Sequence, residues 1–421
     1  MTPRSWRAGS RRAGKLVPIA IVAMLALSAT SASGQQTTAP STTASSSTSP
    51  STGFTATSVK VGGLGWALQY GGADVGARAR FARANASGGV NGRTIDYVGF
   101  RDDGGDAATS AKAAAQLVQQ DHVFAVVPAV TPVLSTSDLV AAKVPYFGWA
   151  LSSQFCETKL GFGFNGCLIP PGHSVASGAW GDVLAKALGV QAPRRTVALL
   201  TENTDSGAAA FDAASASMMA AGFDVVMGQR SLPVPAVGDF GGLAKKIMSS
   251  SSGKAPDVVL AVGSYSNVTL VKSALSGAGF TGVFTDAIEY DPQLVVGAEG
   301  SMVFLQTAPA ESAKDVPAMQ QLIDDVHKIA PTHAIDPAVI AGYLSADLFL
   351  QVLAQRPVDL SASSFLSAAN RFIYEVPGVV GPTKFPKART QPTPCGSLVQ
   401  SDGTAFSVKV PYTCNKIVPV G

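Results

Sequence analysis

Charged residues are scarce in this 421-residue chain, at 14%, whereas hydrophobic residues reach 46%. A chain so apolar can fill real hydrophobic cores and is not intrinsically disordered, and its length predicts two or three domains. The five basic residues among the first 53 positions precede every acidic residue, and without them 26 basic residues remain against 28 acidic ones. That net charge of −2 gives no support to a nucleic-acid-binding surface.

Recognisable catalytic motifs are also missing. None of the four histidines has a metal-ligand spacing such as HExxH, and there is no GxSxG or GxxxxGK(S/T) motif. A glycine-rich turn follows the first predicted strand, but residue 68 is Leu where the dinucleotide fingerprint requires a third glycine. We interpret Asp102, Asp103 and Asp106 as a strand-end turn and a helix cap, in preference to a cation cluster. We therefore expect a protein that is not an enzyme and has no cofactor and no metal.

The N-terminus has the three parts of a secretory signal. A basic stretch precedes a 12-residue apolar run, 16–27, and small residues follow it. As a helix this run would span about 18 Å, less than the roughly 30 Å core of a bilayer. We predict a signal peptide at 1–34 and a disordered Ser/Thr-rich linker at 35–56. The signal predicts a periplasmic or extracellular protein with no stable membrane insertion after cleavage. Because the first cysteine is Cys156, we expect no lipid anchor.

Four cysteines in an exported chain indicate two disulfides, for which three pairings exist. The spacing favours Cys156 with Cys167 and Cys395 with Cys414, since each pair brackets a loop containing Gly or Pro. A zinc site is the competing interpretation, but the chain has no CxxC motif and no nearby histidine pair.

Short β-rich runs alternate with segments of helical length. The first predicted series has strands at 59–64, 95–100, 123–127 and 146–149, with helices at 73–86, 107–119 and 134–142 between them. After a Gly/Pro-rich stretch at 161–172, the second series has helices at 174–188, 207–221, 240–249 and 267–277, and strands at 196–200, 224–227, 257–262 and 283–285. Past a run at 302–306, further helices are predicted at 316–329 and 337–354, the second with Asp336 as its N-cap and Pro337 in its first turn. This alternation predicts parallel sheets with helices on both faces, in two α/β lobes.

Several ordered motifs resemble one protein family. They are VKVGGL from Val59, the turn Gln69-Tyr70-Gly71, NASGGVNG from Asn85 and FRDD from Phe100. In order and spacing they are similar to the type I periplasmic binding proteins, and most similar to the leucine/isoleucine/valine-binding branch that serves ABC importers. The likeness covers about residues 57 to 385.

The resemblance implies a clamshell of two Rossmann-like lobes joined by a three-crossing hinge. Lobe one would comprise 57–168 and 310–400, and lobe two 169–309 and 401–421. Such a protein would capture a small solute, here expected to be an amino acid, in the interlobe cleft and deliver it to an ABC transporter permease.

The resemblance also implies a set of ligand-binding residues. Tyr70 would pack on the ligand, Thr131 would bind a carboxylate, and Asp286 or Glu289 would pair with an ammonium group. Trp149, Ala150 and Ser152 lie at the next strand exit, Tyr265 matches an aromatic residue near the cleft, and Ser206 falls where relatives often carry Tyr. Pro132 departs from the usual hydroxyl residue of the carboxylate loop.

Other interpretations stay open at this point. Tyr70 and Trp149 could be turn or core aromatics, Thr131 only a helix cap, and the two acids solvated strand ends. An extracellular sensor or scavenger of the same fold, binding an amide or an aromatic molecule, would present the same sequence features. An exported enzyme on this fold is a third hypothesis, which bound metal or substrate turnover would support.

Overall fold

The structure is a computed structural model that describes residues 53–170, 172, 174–189, 194–356 and 360–421. The predicted signal peptide and the predicted linker up to residue 52 lie outside the described residues. The described residues belong to one structural unit. The strands are β1 Ser58–Gly65, β2 Thr94–Asp102, β3 Ala125–Val130, β4 Tyr146–Gly148, β5 Gly161–Gly163, β6 Val175–Ser177, β7 Thr196–Glu202, β8 Asp224–Leu232, β9 Val258–Val262, β10 Val283–Asp286, β11 Met302–Leu305, β12 Ile373–Val376, β13 Val380–Lys384, β14 Cys395–Ser401, β15 Phe406–Cys414 and β16 Ile417–Pro419. The helices are α1 Ala67–Tyr70, α2 Gly72–Ala86, α3 Ala107–Gln119, α4 Ser137–Ala142, α5 Ala179–Leu188, α6 Asp205–Ala220, α7 Phe240–Ile247, α8 Tyr265–Gly277, α9 Pro317–Ile329, α10 Pro337–Ala354 and α11 Ala362–Ala369.

Five parallel strands form the first sheet, in the order β2-β1-β3-β4-β5. Strand β3 has the sequence AVVPAV and is buried along its whole length. Continuous burial of this kind is typical of a strand covered on both faces. One face packs against α2, α9 and α10, and the other against α3 and α4.

The second sheet has seven strands in the order β15-β14-β11-β10-β9-β7-β8. Strands β7 to β11 are parallel, while β14 and β15 run antiparallel at one edge. Alternate residues of β7 face opposite sides: Val197 and Leu199 pack with α5 and α6, whereas Ala198 and Leu200 pack with α7 and α8. The predicted α/β class with parallel sheets is confirmed.

Helix α10 packs against the first sheet and against α2, with 15 of its 18 residues buried. It crosses α2 where two glycines meet, Gly342 in α10 and Gly76 in α2. A Cβ atom on either glycine would stand 2.0 Å from a backbone oxygen of the other helix. Glycine is therefore required at both positions for this close approach. Among the described helices, α10 alone is long and apolar enough to cross a membrane, and its burial identifies it as a core helix.

Several local predictions are confirmed. Asp106 caps α3 by accepting a hydrogen bond from the amide of Thr109. Asp336 caps α10 in the same way, and Pro337 occupies the first turn. Both predicted disulfides form, Cys156–Cys167 and Cys395–Cys414.

Two segments differ from their sequence-based assignment. The predicted helix 174–188 begins only at Ala179, because residues 175–177 form β6 and pair with β16 near the C-terminus. Residues 397–400 pair with β11 in the second sheet, whereas the sequence-based division placed them in lobe one. Both differences arise from pairing between segments that are far apart in sequence. The remaining lobe boundaries stay a prediction.

Candidate functional site

A cavity of about 350 Å³ lies where parallel strands of both sheets end. The carboxyl ends of parallel strands are where open α/β sheets bind their ligands. Residues at or just after the ends of β4, β7, β9, β10 and β11 contribute to its walls. The lining is Tyr70, Pro132, Trp149, Leu151, Phe164, Leu168, Ile169, Ser177, Trp180, Glu202, Thr204, Ser206, Gly207, Ala209, Ala210, Ala213, Ala214, Ser217, Ala261, Val262, Gly263, Ala287, Ile288, Phe304, Leu305, Gln306, Thr307, Pro337, Ala341 and Pro392.

Two aromatic side chains from the first half form one wall. The rings of Tyr70 and Trp149 pack edge to face, with centroids 6.1 Å apart. Burial raises the pKa of Tyr70, and the nearby Glu202 carboxylate raises it further, so the Tyr70 hydroxyl keeps its proton. The Trp149 indole Nε1 donates a 2.7 Å hydrogen bond to Oε1 of Gln306. Asn165 Nδ2 donates to the same oxygen at 2.6 Å, which fixes this part of the wall.

Glu202 is the acidic residue of the lining, at the carboxyl end of β7. Its Oε1 atom accepts three hydrogen bonds of 2.7 Å each, from the Ser264 amide, the Ser264 hydroxyl and Asn267 Nδ2. A Cβ atom at Gly263 would come within about 3 Å of this carboxylate, so the glycine leaves room for it. Oε2 accepts no hydrogen bond from a described residue. The carboxylate is therefore held in place with one oxygen available.

Helix α6 begins beside Glu202 and supplies a wall of small residues. The Thr204 hydroxyl caps the helix by accepting from the Gly207 amide at 2.9 Å. Ser206 and Gly207 in the first turn line the cavity, and so do alanines of the next two turns and Ser217. At the far end, the rings of Trp180 and Phe304 stack 5.1 Å apart.

The lining carries little charge. Among the described residues it contains the single acid Glu202 and no Lys, Arg or His. No group of three or more His, Cys, Asp or Glu side chains suited to a metal ion occurs in the described part of the chain. The cavity is thus an apolar space with hydroxyl and amide groups at a few points and one carboxylate.

Three of the nine ligand-binding residues predicted from the sequence lie in this lining, namely Tyr70, Trp149 and Ser206. Tyr265 opens α8 outside the lining. Thr131, Ala150 and Ser152 are buried beside the cavity. The Thr131 hydroxyl accepts from the Val133 amide, and the Ser152 hydroxyl caps a short 3-10 turn at 153–155. The structure therefore does not bring these four residues into the cavity wall.

The two acids that were candidates for binding an ammonium group lie in the protein interior. Asp286 is fully buried, and its Oδ1 accepts from the amides of Ile288 and Glu289 at 2.8 Å. Burial raises the pKa of Asp286 well above its usual range, and the Glu289 carboxyl raises it further. Glu289 accepts a 2.6 Å hydrogen bond from the Ser301 hydroxyl and lies 3.4 Å from Lys272 Nζ. Neither acid lines the cavity.

Glu202 was missed by the sequence analysis, although a signal for it was present. An acid at the end of a predicted strand, two residues before a threonine that could cap the next helix, marks the ligand-facing edge of a sheet. The family likeness points to residues 286–289 instead.

Comparisons with known proteins agree with this fold. A family model described as periplasmic binding protein matches residues 65–405. Among curated proteins the sequence has no significant match.

Solved structures from several bacteria share the fold. A possible leucine/isoleucine/valine-binding protein from Rhodopirellula baltica SH 1 superposes with a TM-score of 0.68 at 17% identity, covering 86% of this chain and 98% of that one. A branched-chain amino acid transporter substrate-binding protein from Streptococcus pneumoniae, in complex with isoleucine, gives 0.63 at 16%, covering 85% and 100%. A fatty acid ABC transporter substrate-binding protein from Thermomonospora curvata gives 0.65 at 16%, covering 86% and 94%.

Proposed function

The chain belongs to the periplasmic binding protein family, and on that basis we propose that it is an exported solute-binding protein that delivers a small, mainly apolar solute to an ABC importer. The observation that carries the proposal is the cavity of about 350 Å³ lined by side chains from both halves of the chain. This volume lies within the range of small-molecule sites in proteins.

The walls favour an apolar solute on energetic grounds. Each buried CH₂ group of a solute contributes roughly 0.8 kcal/mol when it leaves water. Tyr70, Trp149, Trp180 and Phe304 supply large apolar surfaces, while the Tyr70 hydroxyl and the free Glu202 oxygen supply polar contacts. A few polar groups in an apolar pocket fix orientation and specificity.

A branched-chain amino acid is a second candidate solute, of the amino acid class expected from the sequence. Glu202 favours it, since its free oxygen would accept a hydrogen bond from the ammonium group. The similar protein from Streptococcus pneumoniae holds isoleucine in its structure. The amino acid carboxylate would have to rely on hydroxyl donors such as Ser206, because no basic side chain of the described residues lines the cavity.

Ligand-linked stabilisation tests the proposal. Protein freed of carried-over solute by unfolding and refolding is heated with branched-chain amino acids, primary amides, aromatic acids or short alcohols. A solute at 100 times its dissociation constant stabilises the folded state by about 2.7 kcal/mol, which a melting curve resolves.

Two variants of the same short helix provide the control for this assay. Tyr70→Ala removes a cavity wall and should abolish the shift, whereas Leu68→Ala changes a side chain that is 90% exposed and should preserve it. Absence of stabilisation by every class of solute would contradict the proposal.

The importer and sensor roles differ in a genetic measurement. Deletion of the gene should reduce cellular uptake of whichever solute stabilises the protein. Undiminished uptake, with a lost transcriptional or behavioural response to the solute, would instead support the sensor role.

A further inference from the structure

We propose that the solute is an elongated amphiphile, with a hydrocarbon chain lying along α6 and an uncharged or cationic hydrogen-bond donor at Glu202. This inference rests on the proposed solute-binding function and specifies the chemical class of the solute.

The cavity is long and follows one face of a helix. Its lining residues on α6 recur at helical spacing from Ser206, through Ala210 and Ala213, to Ser217. At 1.5 Å per residue, these eleven steps span about 16 Å. All are small residues, so the space beside this face stays open. A compact side chain such as that of leucine would fill only part of that length.

The far end of the cavity is apolar. Trp180 and Phe304 stack there with their rings nearly parallel, at 8°. The Trp180 indole Nε1 donates to the Thr285 hydroxyl at 3.2 Å, so its polar group is already satisfied. The Ser217 hydroxyl likewise accepts from the Gly181 amide at 3.0 Å. What these residues offer a solute is aromatic and aliphatic surface, which suits a hydrocarbon chain.

The other end carries the carboxylate of Glu202. Three donors hold its Oε1, and the free Oε2 is an acceptor of charge-assisted hydrogen bonds, which are about twice as strong as neutral ones. An amine or alcohol donates to such an oxygen. A carboxylate head would be repelled by Glu202 and would find no Lys, Arg or His among the described lining residues. The site therefore selects against anions of the same chain length.

Three compounds that share an eight-carbon chain and differ in head group test this inference, namely octylamine, octan-1-ol and octanoate. Binding is followed by tryptophan fluorescence, since Trp149 and Trp180 both line the cavity, and by thermal stabilisation. We expect octylamine to bind most tightly, octan-1-ol to bind about tenfold more weakly, and octanoate to bind at least about a hundredfold more weakly, with each tenfold step equal to 1.4 kcal/mol.

Two substitutions test the contacts of the hydrocarbon chain and those of the head group separately. Ala213→Leu fills the cavity beside α6 and should weaken octylamine and octan-1-ol together by tenfold or more, at about 1.4 kcal/mol per tenfold. Ala220→Leu, at an exposed position of the same helix, is its control. Glu202→Gln keeps an oxygen for Ser264 and Asn267, so it should preserve the melting temperature, weaken octylamine and strengthen octanoate.

The outcomes distinguish this inference from the proposed function. If branched-chain amino acids stabilise the protein and no octyl compound does, the amphiphile class is wrong and solute binding stands. If octanoate binds as tightly as octylamine, or Ala213→Leu binds like Ala220→Leu, the assignment of head or chain is overturned. If neither panel of compounds binds, the proposed function fails as well.

Discussion

Substituting Gly342 by alanine perturbs the close contact between α10 and α2. A Cβ atom there would stand 2.0 Å from the carbonyl oxygen of Ala73 in α2. The reciprocal position, Gly76, would place its Cβ 2.0 Å from the carbonyl oxygen of Val339 in α10. Because both obstacles are backbone atoms, no side-chain rotation can relieve the overlap, and the two helices must move apart.

Two opposing effects determine how much Gly342→Ala lowers the free energy of unfolding. Alanine is favoured over glycine inside a helix by about 0.8–1 kcal/mol. Overpacking a well-packed core costs about 1–3 kcal/mol, and more where the backbone must shift. Since α10 buries 15 of its 18 residues, displacing it loosens contacts along most of its length. We expect Gly342→Ala to lower the free energy of unfolding by about 2 kcal/mol.

Urea unfolding followed by circular dichroism measures this change. The matched control is Gly277→Ala at the end of α8, where a Cβ atom would meet nothing within 4 Å, so its stability should equal or slightly exceed that of the wild type. If Gly342→Ala were as stable as Gly277→Ala, α2 and α10 could not pack as closely as the structure places them.

Three further predictions concern other parts of the structure. Replacing Cys156 and Cys167 together by serine should lower the free energy of unfolding in urea by about 3 kcal/mol, since their bond closes a loop with a separation of 11 residues; a change below about 1 kcal/mol would argue against that loop-closure effect. The pKa of Asp286 is raised in the folded state, so above about pH 4 the folded state holds a proton that the unfolded state has released. The stability that Asp286 contributes is therefore lost as pH rises from about 4 toward the folded pKa, by up to about 1.4 kcal/mol per pH unit. Asp286→Asn should flatten that slope in urea unfolding at several pH values, and a slope identical to the wild type would refute this assignment. Trp149→Phe removes the hydrogen bond to Gln306 and should cost about 1 kcal/mol in thermal unfolding, whereas Trp66→Phe, whose indole donates no hydrogen bond to a described residue, should cost less; equal losses would contradict the role of that bond.

The acid that lines the cavity is not one of the two acids that the family likeness indicates. The family likeness directs attention to residues 286–289, but Asp286 satisfies backbone amides and Glu289 contacts Ser301 and Lys272. Glu202 has a free oxygen and lies in the lining. The position of this acid affects which solutes can bind, since a buried ammonium group left unpaired would cost several kcal/mol.

Features that depend on neighbouring residues could be predicted from the sequence. Alternating β-rich and helical segments predicted the α/β class, because side-chain periodicity is a local property. The caps at Asp106 and Asp336 follow from the preference of aspartate for orphan helix amides. Both disulfides followed from short loop spacing.

Features that depend on contacts between distant segments arise only in the folded chain. Residues 175–177 form a strand because 417–419 pair with them, and β14 joins the second sheet because β11 offers a free edge. The cavity wall combines Tyr70, Glu202 and Gln306, which are far apart along the chain. At the ends of two strands, Asp286 is buried against backbone donors, whereas Glu202 keeps an oxygen for a solute. The difference depends on the packing around each acid, and local sequence carries no record of that packing.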